Sequence, residues 1–288
     1  MAHALLPTLG RQAALQARRV VIKLGTAVLA GDDGAAASGR LGAFVESAVA
    51  LRRAGREVVV VSSGAVRLGA RRLGIVGRPA GGAAARACAA VGQGRLMAGW
   101  TEACDRAGVA AAQLLLTEED FAAPGRRTVL RSTLRTLLEL GVLPVLNEND
   151  AVAAAARSAG GGGGRRGAGL GDNDRLSALV AVGLRADLLL ILTDVAGLLS
   201  ADPSGPRSGR LIPVVKRVTP RLERAAGGPR AGRGGMRSKL EAARLATDAG
   251  CAVVVADGRN PRVIERVCAG EAIGTLFMPR RPGPSRDA

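Results

Sequence analysis

Two of the chain's only three lysines sit where a phosphate could be held. Lys23 ends the run Val20-Val21-Ile22 and is followed by Leu24-Gly25-Thr26, so its ammonium stands beside backbone N–H groups that glycine lets approach an anion. Lys239 closes Gly232-Arg233-Gly234-Gly235-Met236-Arg237-Ser238-Lys239, a glycine-rich turn that opens a helix with a lysine in its first turn. Those are the parts of a phosphate cradle. It is not a Walker A loop, because G-x-x-x-x-G-K-[ST] occurs nowhere in the chain.

Between the lysines lie acids, amides and hydroxyls in strand-end positions. Ser62-Ser63-Gly64 follows an apolar run and could seat a carboxylate at a helix N-terminus. Asn147-Glu148-Asn149-Asp150 follows Val142 to Leu146, and four consecutive polar residues exceed what a turn needs. Such a set suits a small zwitterion, with carboxylates for its ammonium and amides for its carboxylate. Gly171-Asp172-Asn173-Asp174 precedes a helix, where acids can hold lysines or Mg²⁺. Thr193-Asp194 ends the most apolar strand. Taken singly, each has a plainer reading: a solvated strand-end lysine, an N-cap, a helix cap. Two lysines in matching settings favour phosphoryl transfer over that set of coincidences.

Composition removes the main competitors. The only histidine is His3, so no histidine triad, His₂ zinc site or histidine acid–base pair can be built. The four cysteines (Cys88, Cys104, Cys251, Cys268) are widely spaced with no C-x-x-C, which predicts reduced core thiols rather than disulfides or a zinc ribbon. Lys and Arg number 41 against 24 Asp and Glu, a formal net charge of +17. That charge is almost all arginine, aromatics are 1% and tyrosine is absent, so base-stacking platforms for nucleic acid are missing. No apolar run reaches the ~18 residues of a membrane helix.

The elements that must position these residues follow from the periodicity. Strands are predicted over 20–24, 58–62, 111–116, 142–146, 188–193 and 252–256, and helices over 41–54, 84–107, 127–140, 174–185, 237–249 and 260–269. This alternation predicts an α/β fold with a mostly parallel sheet covered by helices on both faces, and ligands beyond the carboxyl ends of the strands. Residues 1–19 read as an N-terminal extension, with arginines and no acid. Residues 153–171 read as a flexible glycine-arginine insertion, and 203–236 as a long mobile loop region. Gly162, Gly164 and Gly167 satisfy G-x-G-x-x-G, but no strand precedes them and no helix starts there.

The ordered motifs VVIKLGTAVL, VVVVSSGAVRLG, AAVGQGRLMAGW, QLLLTEEDF, LPVLNENDAV, GDNDRLSALVA, LLILTDVAGLLSADP, GGMRSKLEAA and GTLF resemble the amino-acid kinase family, and within it the glutamate 5-kinases. The resemblance runs from about Val20 to Phe277. It implies a three-layer αβα sandwich (kinase domain 20–278, tail 279–288) that binds ATP with Mg²⁺ and L-glutamate. The product would be γ-glutamyl phosphate, the first step of proline synthesis. It implies charge stabilisation by Lys23 and Lys239, oriented by Asp174. Glutamate or metal would be faced by Ser63, Gly64, Asn147, Asp150, Asp172 and Asn173. Nucleotide would be faced by Lys23, Gly25, Thr193, Asp194 and the loop Arg233, Gly234, Gly235, Met236, Arg237, Ser238 and Lys239. It further implies a homo-oligomer and functional coupling to a γ-glutamyl phosphate reductase. A cytoplasmic location is expected, with organellar targeting by the acid-free N-terminal segment as the lesser alternative, and with eleven residues after Phe277 the expectation is a short form without the PUA domain many relatives carry.

Three features depart from the family pattern: Arg233 where a threonine is usual, the longer 153–171 link, and Ala155 and Ala156 where an acid is common. They motivate the alternative of a different acidic substrate. The +17 charge motivates a third reading, a non-catalytic regulatory or nucleic-acid-binding relative.

Overall fold

In the computed structural model the described residues are 11–29, 34–77, 79, 82–152, 173–201, 209–226, 235–260 and 262–280. The predicted insertion at 153–171 and the last eight residues lie outside them. In chain order the elements are α1 (residues 11–16), β1 (Arg19–Leu24), α2 (Thr26–Leu29), α3 (Gly34–Arg53), β2 (Glu57–Val61), α4 (Ala65–Arg72), α5 (Gly82–Arg106), β3 (Ala111–Leu116), α6 (Glu119–Ala122) and α7 (Pro124–Glu139). There follow β4 (Leu143–Glu148), α8 (Asn173–Gly183), β5 (Leu188–Thr193), β6 (Val214–Val215), α9 (Pro220–Ala225), α10 (Met236–Asp248), β7 (Ala252–Asp257), α11 (Val263–Cys268) and β8 (Thr275–Phe277).

One eight-stranded sheet runs in the order β3-β4-β2-β1-β5-β7-β8-β6. All neighbours are parallel except β7 and β8. The central strands are apolar along most of their length because both faces are covered, as a parallel sheet with helical crossovers requires, and Lys23 of β1 is a buried exception. Strand parity divides the core. Val20, Ile22 and Leu24, Val58 and Val60, Leu188, Leu190 and Leu192 face one layer, with Phe44, Trp100 and Ile264. Val21, Val59, Val61, Leu189 and Ile191 face the other, with Leu134, Leu176 and Leu240. The predicted αβα sandwich is therefore the observed one. Parity also aims Lys23, two residues after Val21, at the layer built by α8 and α10.

Several boundaries are corrected. β4 was expected to end at Leu146 but continues through Asn147 and Glu148, because they pair with Leu115 and Leu116 of β3. The 203–236 region is not loop throughout: it contains β6 and α9, which are two and six residues long and too short for periodicity to register. Residues 11–19 do not stand apart from the fold. Ala14 and Ala17 are buried, and Arg56 donates to the carbonyls of Ala14 and Leu15. α4 was expected only as a helix N-terminus after Ser62-Ser63-Gly64, without a range; its fully buried residues are Ala65, Gly69 and Ala70.

α4 and α5 touch at van der Waals limits through glycine. A Cβ on Gly92 would lie 1.8 Å from the Ala65 carbonyl oxygen, and one on Gly69 would lie 1.7 Å from that of Cys88. This approach holds the middle of α5 against the start of α4, beside the end of β2. All four cysteines are buried and free, and burial pushes the thiols of Cys104 and Cys268 up to about 11.

Candidate active site

Three buried charges meet where β1, α8 and α10 converge. Lys23 Nζ lies 2.7 Å from Asp174 Oδ1, and Lys239 Nζ lies 3.1 Å from Asp174 Oδ2. Ser238 Oγ sits 2.8 Å from the same Oδ2 and 2.9 Å from the Gly235 carbonyl. Asp174 is wholly buried, and each lysine exposes less than a twentieth of its surface. Burial alone would raise the carboxyl's pKa. The two ammonium groups outweigh it and, with Ser238, hold the carboxyl far below the usual carboxylate range. One carboxylate between two ammoniums leaves a net positive charge in a low-dielectric setting, which an anion would neutralise. Asp174 also lies in the first turn of α8, where the helix dipole favours its charge.

The neighbouring residue on that turn faces the other way in chemistry. Asn173 Nδ2 is within 2.7 Å of the Ser62 carbonyl oxygen, 2.9 Å of Ser63 Oγ and 2.9 Å of Asn147 Oδ1. Asn147 Nδ2 in turn donates to Gln93 Oε1 on α5 at 2.7 Å. The indole Nε1–H of Trp100 donates to Ser62 Oγ at 2.9 Å. Asn173 Oδ1 is buried and has no hydrogen-bond partner among the described residues. α8 thus begins with an amide turned to a cluster of amides and hydroxyls, then an acid turned to two lysines. Asp150 is half-buried in the turn after β4, and Gly64, with φ of 114°, caps α4.

A third group flanks the lysines at the ends of β5 and β7. Thr193 Oγ1 donates to Asp194 Oδ1 at 3.2 Å. Arg259 Nη2 donates to the Asp194 carbonyl at 2.7 Å while its guanidinium is clasped by Asp257, with Nε to Oδ1 at 2.9 Å and Nη2 to Oδ2 at 2.7 Å. That clasp lowers the Asp257 pKa. Thr275 Oγ1 accepts from Leu198 N and donates to the Ile212 carbonyl, tying down the segment after Asp194.

The structure therefore brings Lys23, Asp174, Ser238 and Lys239 together, and separately Ser63, Asn147 and Asn173. Gly25, Thr193 and Asp194 sit at adjacent strand ends, and Gly235 and Met236 at the start of α10. Arg237 is drawn along α10 to Glu241 at 3.1 Å and takes no part in the lysine cluster. Asp172, Arg233 and Gly234 lie outside the described residues. Gln93, Trp100, Asp257 and Arg259 were not singled out from sequence. For Arg259 the available signal was its place just beyond a strand's carboxyl end; for Gln93, one amide in a helix of small residues, there was none.

The residues fit a nucleotide's phosphates. Gly25 is close to the Leu192 carbonyl and Lys23 Nζ, where an added Cβ would fall 3.1 Å and 3.8 Å away, and the two lysines supply compact positive charge. Among the described residues no group of three or more His, Cys, Asp or Glu could cage a metal.

The chain is similar to known proteins over most of its length. The profile of the Amino acid kinase family matches residues 18–257. The glutamate 5-kinase of Geobacter sulfurreducens is 42% identical over 271 residues, which is 93% of this chain and 70% of that protein. The glutamate 5-kinase of Pseudomonas paraeruginosa is 45% identical over 267 residues, 92% of this chain and 69% of that protein. Among solved structures, carbamate kinase from Giardia lamblia bound to AMP-PNP aligns with TM-score 0.61 at 18% identity, covering 92% of this chain and 99% of that one. UMP kinase from Bacillus anthracis aligns with TM-score 0.57 at 20% identity, covering 92% and 97%. The two structural likenesses, at such identities, concern the fold.

Proposed function

The chain belongs to the amino acid kinase family, and from that premise we propose that it transfers the γ-phosphoryl group of ATP to the side-chain carboxylate of L-glutamate. The observation that carries this is the first turn of α8, which joins the amide–hydroxyl cluster to the buried Lys23–Asp174–Lys239 cluster. A carboxylate acceptor and a polyphosphate donor would meet across it.

In the step, a γ-carboxylate oxygen of glutamate forms a bond to the γ-phosphorus, and the bond from that phosphorus to the β,γ-bridging oxygen breaks. The electron pair leaves with ADP, and the product is γ-glutamyl phosphate. The nucleophile is already ionised at neutral pH, so no general base is required. This suits a chain whose one histidine is His3. Catalysis then rests on alignment and charge neutralisation. Lys23 and Lys239 neutralise charge on the transferring group, and Asp174 with Ser238 fixes their positions. Lysine suits this task because a compact ammonium fits between phosphate oxygens where a planar guanidinium does not. Ser63, Gly64, Asn147, Asp150, Asp172 and Asn173 hold glutamate. Gly25, Thr193, Asp194 and the loop from Arg233 through Lys239 hold the nucleotide. With ATP bound beside Lys23 and Lys239, Mg²⁺ would supply further Lewis-acid charge neutralisation.

γ-Glutamyl phosphate is an acyl phosphate and the first intermediate of proline synthesis. Its lability favours functional coupling to a reductase that consumes it. We place the enzyme in the cytoplasm as a homo-oligomer; among the described residues no helix is long and apolar enough to cross a membrane. Purified protein with MgATP, L-glutamate and hydroxylamine should give glutamyl hydroxamate and ADP, with none from D-glutamate, aspartate or N-acetylglutamate. ATP binding with no hydroxamate from glutamate would reject the substrate and favour a different acid.

A further inference from the structure

The amide cluster has a direction, and one residue outside the proposed contact set fixes its far end. A carboxamide presents an oxygen and a nitrogen of nearly equal size, so its partners decide which way it faces. The Ser62 main-chain carbonyl can only accept, which requires Asn173 to turn Nδ2 towards it, at 2.7 Å. The same Nδ2 faces Asn147, which must therefore present Oδ1, at 2.9 Å. Asn147 is then obliged to point Nδ2 the other way, where Gln93 accepts with Oε1 at 2.7 Å. Asn147 is only 2% exposed, so its Nδ2 has no ready exchange with water. The polarity set by one carbonyl is carried through three side chains and terminates on Gln93. A consequence is that Asn173 Oδ1 faces away from this cluster, buried and without a partner among the described residues.

We propose that Gln93 is a positioning residue for the acceptor-substrate pocket: by accepting from Asn147 it fixes the facing of both asparagine amides and so sets the affinity for glutamate without contacting ATP. The inference rests on the reading of that pocket as the glutamate site. Without the Gln93 acceptor, Asn147 Nδ2 is a buried donor that carries the desolvation penalty of an unmade hydrogen bond. If Asn147 turns over to relieve this, it sets nitrogen against nitrogen at Asn173. Gln93 reaches its station because neighbouring Gly92 lets α5 close on the start of α4.

The test compares wild type, Gln93→Leu and Gln93→Glu by hydroxamate formation, with glutamate and ATP varied separately and Tm measured for each. Leucine keeps the size and removes the acceptor; glutamate keeps an acceptor oxygen. Gln93→Leu should raise KM for glutamate about tenfold, the effect of one buried hydrogen bond, with KM for ATP within about twofold of wild type. Gln93→Glu should bring KM for glutamate back to within about threefold, the remainder being the added negative charge. An unmoved KM for glutamate in Gln93→Leu, equal rises in both KM values, or a Gln93→Glu protein as impaired as Gln93→Leu would each overturn the proposal. If Gln93→Leu fails to fold, wild-type-like folding and KM values in Gln93→Glu still support it, and failure of both overturns it. Wild-type protein that forms no hydroxamate overturns the glutamate reading and this inference together.

Discussion

Asp174 serves two lysines at once, so changes at the three positions should separate stability from catalysis. Asp174→Asn would leave two buried ammonium groups facing each other without their counter-charge. Such a loss costs about 3–5 kcal/mol, read in urea unfolding, and turnover should vanish with it. Lys239→Arg keeps the charge and loses the shape. Turnover should fall on the order of 10²–10³-fold while Asp174 remains paired and most of the stability survives. Near-normal turnover in Lys239→Arg would remove that lysine from the mechanism. The pH dependence has a definite sign. The Asp174 pKa is depressed in the folded state, so its stabilisation is complete above the unfolded value of about 4 and is lost as pH falls below it. Wild type should therefore lose stability on acidification below about pH 4 more steeply than Asp174→Asn, as measured by urea midpoints between about pH 5 and 2.

At the scale of elements, the contact between α4 and α5 is the most exacting. Gly92→Ala would drive a methyl into the Ala65 carbonyl and push α5 away from the end of β2. Overpacking of this kind costs about 1–3 kcal/mol or more, and it should raise KM for glutamate as Gln93 withdraws. Gly94→Ala, two residues on in the same helix with open space around it, should instead stabilise by about 0.5–1 kcal/mol and leave both KM values alone. Thermal melts of the pair check both signs. The same contact shows where sequence reading stops. Apolar runs made β1, β2, β5 and β7 legible, because a strand buried on both faces is apolar along most of its length. The lysines and Asp174 were legible because rare residue types stood at strand ends and helix starts. The amide cluster was half legible: Ser63, Asn147 and Asn173 were candidates, but it also takes in Gln93 and, through Ser62, Trp100, and its bonds join positions up to 111 residues apart. No local period records such a meeting. The extent of α4 beyond its N-terminus was not legible because its buried face is only Ala65, Gly69 and Ala70, small residues that carry little hydrophobic signal. β4 was cut short because Asn147 and Glu148 are polar where a buried strand is expected to be apolar, while their backbones are held by β3.

For the whole molecule, the proposed contacts among the described residues lie at the carboxyl ends of β1, β2, β4 and β5 and at the starts of α8 and α10, and the first turn of α8 joins the two clusters. The chain spans about 70% of the length of the curated relatives it matches. Its net charge of +17 gives a field that draws anions such as ATP and glutamate inward, and that salt weakens over a Debye length of about 8–10 Å. One further property follows from Trp100. The chain has a single tryptophan and no tyrosine, so its near-ultraviolet emission has one source, and that source is hydrogen-bonded to Ser62 at the amide end of the site. The protein is in effect labelled already. Glutamate should shift the emission of the unmodified protein and trace a saturation curve. ATP alone, bound at the lysine end, should leave the spectrum in place. The two ligands can thus be told apart by light in solution, with no dye attached and no turnover required.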